Sequence, residues 1–248
     1  YHCFSTGEHG NIFDFLMKIK SLRFGEVVKV LASEAGMQIY KFTRHDKEKE
    51  EKYNKYKKII KEYSDYSQNE LFNKKNIFAL NYLKERKLSE EVIKKFQLGY
   101  VPPHNFFEHL SKKYSAEDIK LTGLYYFVEK NQKFIDRFKN RIIFPICNLS
   151  GDTIAFGGRI IGNVNLAKYI NSPETEFFKK GKQLFNLNFA KDERSNSKEV
   201  IIVEGYMDVI SLYSRGIKNV ISNCGTAITE SQINLIWKFF SDPIICLD

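Results

Sequence analysis

The chain has 248 residues, 43% of them hydrophobic, which is enough for one large domain or two small ones. Lys and Arg outnumber Asp and Glu by 39 to 30, and the resulting charge of +9 favours a polyanionic partner, nucleic acid before a membrane surface. No apolar run approaches the roughly 18 residues of a membrane-spanning helix, so we expect a cytoplasmic protein with no membrane partner. The four scattered cysteines argue against a disulfide framework.

Residues 1–40 are predicted to form a small unit. Residues 1–10 indicate a strand and a turn, and two short amphipathic helices follow. The second helix is expected to end at Gly36, a residue type common at helix C-termini. A unit of this size is marginally stable alone, so it needs a metal, a partner or more chain.

Residues 44–70 are predicted to form a long helix rich in Lys and Glu. Tyr53, Tyr56, Ile60 and Tyr63 recur at helical spacing and make one apolar stripe. Because the charges are of both signs, we favour a linker helix that packs this stripe on the next domain over a nucleic-acid-binding helix.

The rest of the chain predicts an α/β fold in two parts, an α+β subdomain followed by a parallel α/β sheet. The first part is predicted to have helices over residues 76–85, 89–95, 105–113 and 116–121 and strands over residues 96–101, 124–129, 133–138, 142–148 and 152–161. The second part alternates strands over residues 199–203, 219–222 and 243–247 with helices over residues 206–214 and 229–239. That alternation is typical of a parallel sheet.

Acidic residues stand at the ends of two predicted strands of that sheet. Glu204 follows the β-branched run Val200–Val203, and Asp248 follows the strand over residues 243–247. Asp208 lies about one helical turn after Glu204, so both carboxylates can face one crevice. Carboxylate oxygens at neighbouring strand ends suit Mg²⁺. The alternative is that Glu204 only caps the following helix.

Basic residues cluster before the parallel sheet. Arg137, Arg159, the pair Lys168 and Tyr169, and a Lys-Lys-Gly-Lys run that includes Lys180 fall in this region. Arg159 follows two glycines, which leave room for a phosphate, and a cation beside an aromatic ring suits a nucleotide or a single strand. The alternative is a solvated basic face.

Several motifs resemble known families. Residues 203–209, residues 223–227 and the closing Leu247-Asp248 resemble the toprim motifs of primases, topoisomerases and some nucleases. Residues 136–146, 155–159 and 168–182, in that order, resemble the catalytic domain of bacterial DnaG-type DNA primases. Residues 82–100 resemble its N-terminal part, and residues 1–16 resemble the end of its zinc ribbon. The resemblance covers essentially the whole chain.

The resemblance implies the synthesis of short RNA primers on single-stranded DNA from ribonucleoside triphosphates, with Mg²⁺ or Mn²⁺. It makes Glu204 the catalytic acid near the metals, Asp208 its support and Asp248 a metal ligand. The family's positions for template and nucleotide fall on Arg86, Arg159, Lys168, Tyr169 and Lys180, with Arg137 nearby.

The resemblance also implies domains and partners. The domains are the end of the zinc ribbon (1–40), a helical linker (41–70), the basic subdomain of the RNA polymerase core (71–197) and a truncated toprim subdomain (198–248). The implied partners are the replicative helicase, through a C-terminal domain outside this chain, and single-stranded DNA-binding protein. The implied location is the replisome at the bacterial nucleoid.

Two departures from the family pattern affect activity. Cys3 is the expected remnant of a Zn²⁺ site, but Thr6 stands where the fourth thiolate belongs, and structural zinc needs four ligands. The toprim Asp-x-Asp stops after its first acid, so we expect this fragment to be inactive by itself. The remaining alternatives are a toprim nuclease or topoisomerase and an inactive nucleic-acid-binding fragment.

Overall fold

A computed structural model describes residues 1–7, 9–37, 44–104, 106–162, 166–225 and 227–247, with the side chain of His45 excepted. The chain divides into two compact units, residues 1–50 and 51–248. Among the described residues, no helix has the length and apolar character needed to cross a membrane.

The first unit contains the two predicted helices, α1 (Ile12–Ile19) and α2 (Phe24–Glu34). The side chain of Asn11 begins α1 by accepting hydrogen bonds from the backbone N–H groups of Phe13 and Asp14. The strand predicted near the start is reduced to a single bridge between His2 and His9. Only one side chain of the two helices, that of Val27, is fully buried.

The long helix α3 (Arg44–Leu71) matches the prediction closely. Its residues from 51 onward belong to the second unit. Tyr56, Ile60 and Tyr63 of the predicted stripe are buried together with Ile59, whereas the lysines and glutamates lie outside. The stripe packs on the domain that follows, and the linker role of this helix stays a prediction.

The second unit begins with an α+β part. After α3 the helices are α4 (Ile77–Glu85), α5 (Glu90–Lys95), α6 (Phe107–Ser111) and α7 (Ala116–Leu121). The strands are β1 (Gly99–Val101), β2 (Tyr125–Val128), β3 (Lys133–Asp136), β4 (Arg141–Cys147), β5 (Thr153–Ile160) and β6 (Tyr169–Asn171). β2 and β3 form a hairpin, and the antiparallel sheet has the order β1-β4-β5-β6.

The parallel part completes the unit. Its elements are α8 (Leu187–Ala190), β7 (Glu199–Val203), α9 (Tyr206–Tyr213), β8 (Val220–Ser222), α10 (Glu230–Ile236) and β9 (Asp242–Ile245). The strand order is β8-β7-β9, with both pairs parallel. Short 3-10 turns occur at Lys74–Asn76, Glu129–Asn131, Lys180–Lys182 and Lys191–Ser195. The predicted fold class, an α+β subdomain before a parallel α/β sheet, is confirmed.

One predicted strand is shorter than expected. The apolar run over residues 96–101 predicted a strand, but Phe96 is the C-cap of α5 and β1 begins only at Gly99. Gln97 has a φ of 52°, a left-handed conformation that ends a helix and turns the chain. The apolar side chains of this run are buried by the turn and the strand together, which is why their pattern resembled one strand.

The two sheets of the second unit share one hydrophobic core. Ile142 and Phe144 of β4 belong to the same buried cluster as Val203 of β7 and Tyr206 of α9. The rings of Phe144 and Tyr206 stack with their centroids 5.5 Å apart. This shared core fixes the end of β7 beside the antiparallel sheet.

Candidate active site

Glu204 lies at the carboxyl end of β7, where the buried residues Ile202 and Val203 give way to an exposed carboxylate. The strand ends there because Gly205 takes the N-cap position of α9. The backbone N–H of Gly205 donates to the Asp208 carboxylate at 3.0 Å. The Asp208 carboxylate therefore closes the N-terminal end of α9.

Asn171 links the antiparallel sheet to this strand end. Its side-chain oxygen accepts a 2.7 Å hydrogen bond from the Tyr206 hydroxyl, and its side-chain nitrogen donates a 2.8 Å bond to the Cys224 carbonyl. Tyr206 opens the helix that follows Glu204, and Cys224 belongs to the loop after β8. One side chain of β6 thus holds both walls of the crevice at the carboxyl ends of the parallel strands.

Glycine at position 157 makes this contact between the sheets possible. A Cβ on Gly157 would lie 2.2 Å from Cε2 of the Tyr206 ring, far inside van der Waals contact. The ring of Tyr206 therefore packs directly against the backbone of β5. From the sequence, we expect the Gly-Gly pair to leave room for a phosphate. In the structure, the space at the first of these glycines is filled by the Tyr206 ring.

Arg159 is the centre of a cluster of cations and aromatic rings. Its guanidinium donates a 2.7 Å hydrogen bond to the Tyr169 hydroxyl and lies 5.2 Å from the ring centroid of Tyr82. Arg86 lies 5.4 Å from the same Tyr82 ring. Arg159 is only 9% exposed, and its Nε is buried without a hydrogen-bond partner among the described residues. We call Tyr82, Arg86, Arg159 and Tyr169 the arginine–tyrosine cluster.

The arginine–tyrosine cluster lies close to the acidic strand end. Burial raises the pKa of the Tyr169 hydroxyl, the hydrogen bond and charge of Arg159 lower it, and the Asp208 carboxylate raises it again. An electrostatic effect of Asp208 on Tyr169 requires the two side chains to be near each other. Tyr169 of the arginine–tyrosine cluster therefore lies near the carboxylate of Asp208 at the start of α9.

Lys168 is exposed beside Tyr169, and a buried arginine fixes its backbone. The Arg141 guanidinium donates to the carbonyl oxygens of Ala167 at 2.9 Å and Lys168 at 3.3 Å. Burial lowers the pKa of Arg141. The support that Arg141 gives to Lys168 comes from a contact between residues far apart in the chain.

Lys180 faces the same crevice from the other side. Its backbone N–H donates to Glu174, and its carbonyl oxygen accepts from the Gln232 side chain. Burial raises the pKa of the Cys224 thiol to about 12, although the Tyr206 hydroxyl and the Lys180 charge oppose this rise. The Lys180 ammonium group is thus close to the loop that Asn171 holds.

Arg137 differs from the other predicted cations. Its Nε donates to the Gly123 carbonyl at 3.0 Å, and its guanidinium lies 5.8 Å from the Tyr126 ring. Both contacts are with the region around the β2–β3 hairpin. The structure therefore groups Arg86, Arg159 and Tyr169 around the Tyr82 ring and gives Arg137 a separate local role.

Comparison with known families covers nearly the whole chain. The family described as "DNA primase catalytic core, N-terminal domain" matches residues 66–191, about half of the chain. The families described as "Toprim domain" and "CHC2 zinc finger" match residues 198–248 and 1–48. This chain belongs to the DnaG-type DNA primase family.

Relatives and solved structures agree with this membership. The DNA primase of Clostridium acetobutylicum is 38% identical over all of this chain and 41% of its own length, and that of Escherichia coli K12 is 33% identical over all of this chain and 43% of its own. A DnaG primase catalytic domain bound to ssDNA matches with a TM-score of 0.74 and 32% identity, over 79% of this chain and 62% of that one. The Aquifex aeolicus primase (zinc binding and RNA polymerase domains) matches with a TM-score of 0.72 and 31% identity, over all of this chain and 59% of that one. This primase-family chain thus spans about two fifths of the length of these curated relatives.

Primase-family toprim and zinc-ribbon domains suggest metal binding. Glu204 and Asp208 offer the hard carboxylate oxygens that Mg²⁺ prefers, and Mg²⁺ often takes only one or two carboxylates. Asp248, the third predicted acid, lies outside the described residues. In the described ranges, no group of three or more His, Cys, Asp or Glu side chains forms a metal cluster.

The zinc prediction finds little support at Cys3. The Cys3 sulfur lies 3.1 Å from the Ser5 hydroxyl, and hydrogen bonds from Ser5 and then Thr6 lower the thiol pKa to about 6. The nearest candidate ligands, His2 and His9, stack their rings on each other. Within the described part of this unit, the ligands present fall short of the four that structural zinc requires.

Proposed function

We propose that the protein containing this chain is a DNA primase that synthesises RNA primers on a single-stranded DNA template from ribonucleoside triphosphates. The observation that best supports this is the Asn171 link, which ties β6, the strand that carries Tyr169 of the arginine–tyrosine cluster, to Tyr206 and Cys224 beside the end of β7. Family membership supports replication in the cytoplasm as its setting, with the replicative helicase and single-stranded DNA-binding protein as partners.

The reaction is a nucleotidyl transfer, in which a primer hydroxyl attacks the α-phosphorus of an incoming triphosphate and pyrophosphate leaves. Glu204 and Asp248 would hold Mg²⁺ or Mn²⁺, and the bound cation would neutralise charge on the reacting phosphates. Asp208 keeps the N-terminus of α9 closed beside Glu204. Such transfers depend mainly on positioning and charge neutralisation, so well-placed fixed charges account for most of the expected catalysis.

The basic residues would bind and orient the two strands and the nucleotide. Arg86, Lys168 and Lys180 are at least partly exposed and offer cations to phosphate oxygens. The Tyr169 ring, which is 39% exposed, offers a face for a base. Arg159 is too buried to reach far into solvent, so its part is to orient the Tyr82 and Tyr169 rings.

Glu204→Gln in the full-length protein tests the role of the acid. We expect primer synthesis on single-stranded DNA with ribonucleotides and Mg²⁺ to fall at least about 100-fold, because a neutral amide cannot serve the metal-dependent step. Affinity for single-stranded DNA should remain within about twofold, since the fold and the basic residues are unchanged. The matched control is Glu199→Gln at the opposite end of the same strand, which should retain synthesis.

Two outcomes would contradict the proposal. Normal primer synthesis by the Glu204→Gln protein would remove Glu204 from the mechanism. DNA strand cleavage by the unsubstituted protein, with no RNA product, would favour the toprim nuclease or topoisomerase alternative.

A further inference from the structure

An exposed apolar and basic surface adjoins the arginine–tyrosine cluster. At the start of α4, Phe78 is 48% exposed and Ile77 is 50% exposed. Lys74 and Lys75, in the short turn that ends at Asn76 before this helix, are also exposed. We call these four residues the Phe78 surface. A single exposed aromatic residue is ordinary in proteins, so a functional role for Phe78 has to be argued from its position in the fold.

The Phe78 ring stands at one end of a row of side chains across the antiparallel sheet. It meets the Tyr100 ring edge to face, with the centroids 5.3 Å apart. Tyr100 pairs with Ile142, Ile142 with Arg159, and Arg159 with Tyr169. Directly paired residues on neighbouring strands lie on the same face of a sheet. The row therefore runs without a break from Phe78 to Tyr169.

Helix α4 follows the same line above the sheet. Phe78, Tyr82 and Arg86 are spaced by four residues, so they lie along one face over roughly 12 Å of helix. Phe78 lies against Tyr100, and Tyr82 lies against Arg159. The Phe78 surface is thus a direct extension of the arginine–tyrosine cluster towards the β1 edge of the sheet.

We infer that Phe78 is a stacking platform for an unpaired base of the DNA template strand, next to the bases and phosphates that the arginine–tyrosine cluster binds. This inference rests on the proposed function, since it needs a single strand at that cluster. An exposed ring flanked by Lys74, Lys75 and Arg86 combines the two features that bind single strands, a face for stacking and cations for the backbone. The positive charge of the Phe78 surface is complementary to the negative charge of nucleic acid and would repel a basic partner.

The first test measures the affinity of the full-length protein for fluorescent single-stranded DNA. We expect Phe78→Ala to weaken binding about fivefold or more, because the loss of one base–aromatic stack is large. Phe78→Trp should restore the affinity, and Phe78→Leu, which keeps the apolar surface without a ring, should not. Phe127→Ala is the matched control, an exposed ring on the β2–β3 hairpin that is 40% exposed, and it should change affinity less than twofold. The slope of affinity against salt should be unchanged, since no charge is removed.

The second test replaces one nucleotide of the DNA at a time by an abasic site. For the unsubstituted protein, one position should cost affinity, and for Phe78→Ala the cost at that same position should disappear. Equal affinity of the Phe78→Ala and unsubstituted proteins would overturn the inference, as would a loss that no abasic position reproduces. If the unsubstituted protein binds single-stranded DNA and makes primers while Phe78→Ala has no effect, only this inference fails. If the unsubstituted protein does not bind single-stranded DNA, the proposed function fails with it.

Discussion

Asp136 is a buried carboxylate outside the candidate active site, and its protonation should control the stability of the second unit. It ends β3 and is 4% exposed. One oxygen accepts hydrogen bonds from the Tyr63 hydroxyl of α3 at 2.7 Å and from the Phe138 N–H at 2.8 Å. The hydroxyl of buried Tyr125 also interacts with this carboxylate and lowers its pKa.

Burial raises the pKa of Asp136 from 3.8 to about 6, although the hydrogen bonds from Tyr63 and Phe138 oppose the rise. The folded state therefore binds this proton more tightly than the unfolded state does. Stability from this group is complete below about pH 4 and is lost as the pH rises to about 6. A difference of roughly two units corresponds to about 3 kcal/mol of unfolding free energy.

Asp136→Asn should therefore stabilise the protein at neutral pH. The amide oxygen can accept the same two hydrogen bonds, and the amide nitrogen can donate towards the Tyr125 hydroxyl. Because the amide has no charged form to bury, we expect a gain of about 2–3 kcal/mol at pH 7.5. The gain should shrink to about 1 kcal/mol at pH 4.5, because the folded carboxyl is protonated there while the unfolded carboxyl is still largely ionised.

Urea unfolding followed by circular dichroism at pH 4.5, 6 and 7.5 measures this difference. Asp152→Asn is the control, since the hydrogen bond from Lys57 lowers the pKa of that carboxylate below its usual 3.8, so its substitution should destabilise by a similar amount at pH 4.5 and pH 7.5. A difference between the Asp136→Asn and unsubstituted proteins that is the same at all three pH values would refute the linkage argument. A loss of stability at pH 7.5 would show that the charged carboxylate is stabilising.

Two further outcomes are expected. Replacing Lys168 and Lys180 by Ala should reduce the slope of log affinity for single-stranded DNA against log salt by about 1.4. The control, Lys130→Ala with Lys133→Ala on the β2–β3 hairpin, should leave the slope unchanged. Equal slopes for the two double variants would show that Lys168 and Lys180 are solvated surface residues that do not contact the DNA. Gly157→Ala should cost about 1–3 kcal/mol in urea unfolding and reduce primer synthesis, because the new Cβ displaces the Tyr206 ring. Gly25→Ala, which meets no atom within 4 Å, is its control, and a fully stable Gly157→Ala protein would show that the ring moves freely.

The sequence predicted the parallel sheet better than the elements around it. The β-branched run over residues 199–203 became β7 without a shift, because an uninterrupted apolar run allows few other structures. The short strand β6 was not predicted, since only three residues pair and they are partly exposed. Residues 96–98 were wrongly predicted as part of a strand, because their apolar side chains are buried in a turn and not in a paired strand.

The candidate site was predicted as a set of residue types and not as an arrangement. The sequence indicated Glu204, Asp208 and the cations, since their motifs are local. It could not indicate that Tyr82 lies between Arg86 and Arg159, because that contact joins a helix to a strand far along the chain. For the same reason it did not separate Arg137 from Arg159, or give Asp208 its place at the helix end.

The hydrogen bonds of Asn171 fix the orientation of its side-chain amide at the contact between the two sheets. The side chain accepts from Tyr206 and donates to the Cys224 carbonyl, so only one orientation of the amide satisfies both partners. An aspartate would offer a second acceptor to a carbonyl, and a leucine would leave both partners unmet. Position 171 therefore admits few other side chains, and a change at Tyr206 alters the requirement at Asn171. Residues 157, 171 and 206 constrain one another and should vary together or not at all.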